Sequence, residues 1–171
     1  MCSMSMSMPS FLLRLCTLLG LLTMSYLTGC SPEPGPTPTN QRAWFDAARW
    51  ENRIIVIYGE EPLRREQIEH LQSDRAGLLD RNLVVIDASA EPAAVVAGTG
   101  PQEPLPTAST FISRFTIPTG GFTCSLVGKD GRMKERRVTI FRNDELYPII
   151  DAMPMRMREM REQKSEESGQ P

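Results

Sequence analysis

At 171 residues the chain has room for one domain and not comfortably for two. Its net charge of −2, with basic and acidic side chains interleaved along most of its length, excludes the concentrated basic stripe that nucleic-acid binding requires. With 40% hydrophobic and 23% charged residues, the composition is that of a folded protein with polar ends.

The chain opens on an address. Phe11 to Leu27 is largely apolar but is interrupted by Arg14 and Ser25 and is shorter than the roughly 20 residues of a spanning helix, so residues 1–29 are expected to be an export signal. Leu27-Thr28-Gly29-Cys30 resembles the bacterial lipobox, in which small residues precede a cysteine at the cleavage point. The resemblance implies a covalent diacylglycerol on the Cys30 sulfur, cleavage before Cys30 and an N-acyl chain on the new amine. Several acyl chains hold a protein stably on a bilayer. The expected partner is therefore the membrane, through that anchor, and no other cofactor is expected. The expected location is the cell envelope. Ser31, rather than aspartate, follows the cysteine, which by the same resemblance favours the outer membrane facing the periplasm in a Gram-negative cell. Residues 31–40, SPEPGPTPTN, hold four prolines and no large apolar side chain, so residues 30–42 read as the lipidated cysteine and an extended, disordered tether.

Residues 43–160 read as the folded domain. Trp44, Phe45, Ala48 and Trp50 predict a short amphipathic turn or helix over one end of the core. Arg53 to Tyr58 is a β-branched run ended by Gly59, which predicts a central strand buried on both faces. Pro62 is placed to open a helix to about Gln72, with Leu63, Ile68 and Leu71 inward. After a turn at 78–82, Leu83 to Asp87 is a second apolar strand, completing a βαβ unit. Residues 91–106, rich in proline and glycine, read as an irregular loop with a helical turn at Ala93 to Ala97.

Thr107 to Phe115 predicts a short helix, and Phe122 to Gly128 a third strand. Lys129-Asp130-Gly131 then turns the chain into a fourth strand, Met133 to Ile140. Asn143 or Asp144 caps a last helix, Glu145 to Met153, broken or restarted at Pro154, and residues 161–171 read as a polar, frayed tail. The fold class expected is α/β and thioredoxin-like: a mixed central sheet of about four strands with flanking helices. Three blocks add to this: Asp80-Arg81-Asn82-Leu83-Val84-Val85, Leu126-Val127-Gly128-Lys129-Asp130-Gly131 and Ile150-Asp151-Ala152-Met153-Pro154-Met155-Arg156. On them the chain resembles a bacterial envelope family known as domain of unknown function 4174. That family is similar to a domain of sushi-repeat extracellular proteins and is regarded as thioredoxin- or peroxiredoxin-like. The resemblance implies the fold and brings no established activity.

The chemistry is constrained by what the first turn lacks. In thioredoxin-like oxidoreductases the reactive cysteines follow the first strand, at a helix N-terminus that lowers a thiol's pKa. Here Gly59-Glu60-Glu61-Pro62-Leu63-Arg64-Arg65 contains no Cys, Ser or Thr, which excludes dithiol exchange there. The four cysteines, Cys2, Cys16, Cys30 and Cys124, include no C-x-x-C pair, so no metal site is expected; with residues 1–29 removed and Cys30 acylated, Cys124 has no partner, which excludes a disulfide framework on that reading. Alternation places Cys124 on one strand face with Phe122 and Leu126, as a small core residue. The alternative is an atypical single-cysteine thiol peroxidase or redox sensor using Cys124. His70 reads as a solvated helix-surface side chain, Asp87 as a strand terminator and Lys129-Asp130 as a surface pair. Arg156, Arg158, Met157 and Met160 read either as a helix end packed on its own domain with its arginines on an exposed face, or as a methionine-lined docking surface for another envelope protein or for anionic lipid heads. A membrane-tethered domain acting by binding, not catalysis, is the leading expectation.

Overall fold

The densest apolar runs, Ile54–Ile57 and Leu83–Ile86, lie side by side at the centre of a five-stranded sheet. The computed structural model describes residues 38–169; the expected signal segment, Cys30 and residues 31–37 of the tether lie outside the described residues. In chain order the elements are α1 (Pro38–Ala48), β1 (Arg53–Tyr58), α2 (Leu63–Gln72), α3 (Arg75–Asp80), β2 (Leu83–Asp87) and β3 (Ala94–Gly98). They continue with α4 (Ala108–Phe115), β4 (Thr123–Val127), β5 (Met133–Arg137), α5 (Asn143–Asp151) and α6 (Pro154–Ser168). The sheet order is β3-β2-β1-β4-β5. β1 is parallel to β2 and antiparallel to β4, and the β2–β3 and β4–β5 pairs are antiparallel. The β2-β1-β4-β5 portion is consistent with the thioredoxin-like expectation, and β3 adds a fifth strand at the edge.

Alternation along the central strands divides the core into two layers. Ile54, Val56, Val84 and Ile86 pack against Trp44 and Phe45 of α1 and Phe111 and Phe115 of α4. There the four rings meet edge to face, with centroids 5.2–5.9 Å apart. Ile55, Ile57, Leu83 and Val85 face Leu71, Leu78, Leu146 and Ile150 of α2, α3 and α5. Each such fully buried aliphatic side chain stabilises the fold by roughly 2 kcal/mol relative to exposure. None of the described helices is long and apolar enough to cross a membrane.

Four expectations are corrected. Ala94 to Gly98 is a strand, not a helical turn, because the outer edge of β2 would otherwise leave buried ladder groups unpaired and Val95 and Val96 suit extended backbone. It ends at Gly98, with φ +76°, where an added Cβ would lie 1.9 Å from the Leu83 carbonyl oxygen; no other residue fits there. Helix α1 takes over residues 38–42 from the expected tether, Pro38 serving as its first residue. The turn at 78–82 is preceded by a helix, α3, whose N-terminus is capped by the Asp74 carboxylate accepting the Gly77 N–H at 2.9 Å. The expected frayed tail is helical to Ser168. α5 stops at Asp151, Met153 turns extended, and Pro154 opens α6, whose Arg, Glu, Gln and Lys residues are good helix formers.

Candidate functional site

The turn after β1 is closed by ion pairs. Arg64 donates to Asp87 and to Glu61, each at 2.7 Å. Burial alone would lower the Arg64 pKa, but the hydrogen bond and charge of Asp87, then Glu61, outweigh it and raise it. Asp87 also accepts the Ser89 N–H at 3.0 Å, and the Ser89 hydroxyl accepts the Gly59 N–H at 3.1 Å. The strand-terminating role expected of Asp87 is thus joined by an ion pair that spans the turn. Beside it lies a hollow of about 470 Å³ carrying Glu60 and Glu61 at its edge, without a nucleophilic thiol. The cis peptide bonds among the described residues precede Pro62 and Pro92; the Ile117–Pro118 bond is not one of them.

Cys124 sits on β4 opposite Ile57, fully buried with Phe122 and Leu126 on the same face. Burial pushes its thiol pKa up from 9.0 to about 12. A thiol so placed is not a thiolate at neutral pH and has no path to a peroxide or disulfide in the native state. His70 is not merely solvated: its Nε2 accepts the backbone N–H of Asn143 at 3.0 Å, satisfying a donor that opens α5. Among the described residues no three His, Cys, Asp or Glu side chains gather as a metal ion would need.

At the opposite end of β1 the C-terminal basic residues divide. Arg156 does not belong to an exposed face with Arg158, Met157 and Met160; it is 3% exposed. Its guanidinium donates to the Asp80 carbonyl at 2.8 Å, to the Asp80 carboxylate and to Asp151 at 3.3 Å. Arg158 and Met157 are exposed and Met160 is half-buried. Arg53, 1% exposed, donates to Glu159 through both terminal nitrogens, at 3.1 and 3.2 Å, and to the Arg81 carbonyl. Arg81 in turn grips Asp151 at 2.7 and 3.0 Å. Lys129 reaches Glu159 at 2.9 Å and Asn82 at 3.0 Å, so it does not pair with Asp130, which bonds Lys134 at 2.7 Å instead. The three blocks singled out in the sequence therefore meet in one network that ties α6 to the loops before β2 and after β4. Glu159 and Gln67, central to the packing, carried no recognisable signal: one is a charge on a polar helix, the other a glutamine on an apolar face.

A cleft of about 660 Å³ opens beside this network. Trp50, Ile149, Met153, Pro154 and Met155 form its apolar wall, and Arg49, Arg132 and Lys134 its basic rim. Arg53 and Lys129 lie at its base. Trp50 stands 52% exposed with φ at 73°, its N–H bonded to the Lys129 carbonyl at 2.7 Å and the Arg49 guanidinium 4.9 Å from its ring centre. Concave, largely apolar sites with a few convergent polar groups are where ligands bind. Sequence reading missed this cleft because its walls come from segments about 80 to 100 residues apart, and Trp50 read as core. Against known proteins, one family model, described as Domain of unknown function (DUF4174), matches residues 45–159. No curated protein and no solved structure matched the chain.

Proposed function

The chain belongs to the DUF4174 family, and we propose that it is a lipid-tethered, non-catalytic binding domain of the bacterial cell envelope. One observation carries the non-catalytic part. The first turn has no nucleophile, and the thiol that the redox alternative needs, Cys124, is sealed in the core with its pKa at about 12. Catalysis by that thiol would require the strand to open. The anchor is supported by the Leu27-Thr28-Gly29-Cys30 block and the proline-rich stretch behind it. Acyl chains on Cys30 would hold the domain at a membrane surface, on a short tether, where binding to envelope components gains from local concentration.

Metabolic labelling with a fatty-acid analogue tests the anchor. The wild-type chain incorporates label and fractionates with membranes, and Cys30→Ser loses the label. Full labelling of Cys30→Ser removes the lipid tether from the proposal.

A further inference from the structure

We propose that the cleft between Trp50, the β4–β5 turn and the α5–α6 junction binds a small organic anion with a flat, apolar body. This deepens the binding reading by naming the site and the ligand class. The cleft's size, about 660 Å³, lies within the range of pockets that enclose small molecules. Its apolar wall would cover a hydrophobic body, and the Trp50 indole, 52% exposed with Arg49 over its ring, offers aromatic surface for stacking. A bulky residue held at positive φ is costly, and here the posture is fixed by the Trp50 N–H to the Lys129 carbonyl, which leaves the ring at the lip of the cleft.

The charge around the cleft is unbalanced toward the positive. Behind it four basic side chains, Arg53, Arg81, Lys129 and Arg156, share three carboxylates, Asp80, Asp151 and Glu159. At the rim the lining carboxylate is Asp130, bonded to Lys134 at 2.7 Å and also under the charge of Arg132, while among the described residues neither Arg49 nor Arg132 makes a salt bridge. Burial would raise the Asp130 pKa; the bonds from Lys134 and the Arg132 N–H overcome it and keep the group ionised and engaged. A second feature points the same way. Arg53, at the base of the cleft and 1% exposed, has an Nε–H with no hydrogen-bond acceptor, a buried donor left over beside a guanidinium whose terminal nitrogens are both paired. A carboxylate, sulfonate or phosphate on the ligand would answer the excess charge, and its body the apolar wall.

Two probes of nearly one shape separate these contributions: 1-anilinonaphthalene-8-sulfonate, and its uncharged parent N-phenyl-1-naphthylamine. Titrated into the purified full chain, the sulfonate is expected to bind saturably at one site and about tenfold more tightly than the parent, the scale of one or two exposed charge contacts. Arg49→Gln with Arg132→Gln, both exposed and without a salt bridge among the described residues, removes that preference, so that in this variant the sulfonate binds no more tightly than the uncharged probe. Ala152→Phe, which fills the cleft from the α5–α6 junction, weakens both probes. Equal affinity for the two probes, no saturable binding, or a sulfonate affinity unchanged in these variants overturns the proposal. None of these outcomes bears on Cys30 or Cys124, so the tether and the non-catalytic reading stand or fall separately.

Discussion

Glu159 is one of three carboxylates that fasten the C-terminal helix, and Glu159→Gln should be strongly destabilising although it is isosteric. It accepts from Arg53 through two nitrogens and from Lys129 at 2.9 Å, and lies 3.7 Å from Arg156. The amide keeps the volume but removes the charge, leaving Arg53 buried with one Nε already lacking an acceptor. Removing one partner of a buried pair costs about 3–5 kcal/mol; with Glu159 21% exposed, the low end, about 3 kcal/mol, applies. In urea this reads as a lowered midpoint at unchanged slope, and in heating as a loss of roughly 10 °C. The pH dependence has a definite sign. Burial would raise the Glu159 pKa, but hydrogen bonds from Lys129 and Arg53 and their charges outweigh it and lower it from 4.5. Its contribution is thus present above the unfolded value and lost as pH falls through the lower folded value, so wild type and variant converge in acid. Arg42→Ala, which cuts an exposed helical pair with Asp46, serves as the control and should change stability by no more than about 0.5 kcal/mol. A Glu159→Gln protein as stable as that control would refute the reasoning.

Cys124 should resist a thiol reagent in the native protein at neutral pH and react stoichiometrically in denaturant; fast native labelling would return the redox alternative. Because burial raises its pKa from 9.0 to about 12, its contribution is complete below the unfolded value and declines as pH rises toward the folded one. At about pH 10.5 wild type should have lost roughly 2 kcal/mol more than Cys124→Ala, measured as the difference in their pH slopes by urea titration. Gln67 is fully buried and pairs with both backbone groups of Phe141, donating to its carbonyl at 3.1 Å and accepting its N–H at 2.6 Å. Gln67→Leu should cost about 2–3 kcal/mol and speed exchange of the Phe141 amide; an unchanged exchange rate would show the loop before α5 to be held by other contacts.

What was legible in the sequence is what local patterns encode. Ile54–Ile57 and Leu83–Ile86 announce two central strands because burial on both faces admits no polar position. Pro62, Thr107 and Gly131 mark helix starts and a turn through backbone chemistry that needs no tertiary context. β3 was hidden because it is an edge strand, partly exposed and short of apolar alternation, and it exists through the open ladder of β2. Arg156 was misread for a related reason. On a helix of mean polar character it has the look of a solvated charge, and only Asp80 and Asp151, brought in from α3 and α5, make burial possible. His70 and Gln67 are cases where one side chain satisfies backbone groups over 70 residues away, which no spacing rule detects.

On the proposed reading the two ends of the sheet exchange the roles their topology suggests. In open α/β sheets ligands gather beyond the carboxyl ends of the parallel strands. Here that end carries Asp87 and the Gly59–Pro62 turn, with Arg64 locked between Asp87 and Glu61, Arg65 reaching Glu61 at 3.6 Å, and Glu60 at the edge of the hollow. The amino end of β1 carries instead a surplus of guanidinium charge, an open indole and the larger cleft. At that amino end three segments distant in sequence converge to hold α6. The same convergence explains why residues 80–85, 126–131 and 150–156 stand out together in the sequence: they meet through Arg81, Lys129 and Arg156 around Asp151 and Glu159. A network that fastens a helix also sets the shape and charge of the cleft beside it, so changes to Glu159 should alter probe affinity as well as stability.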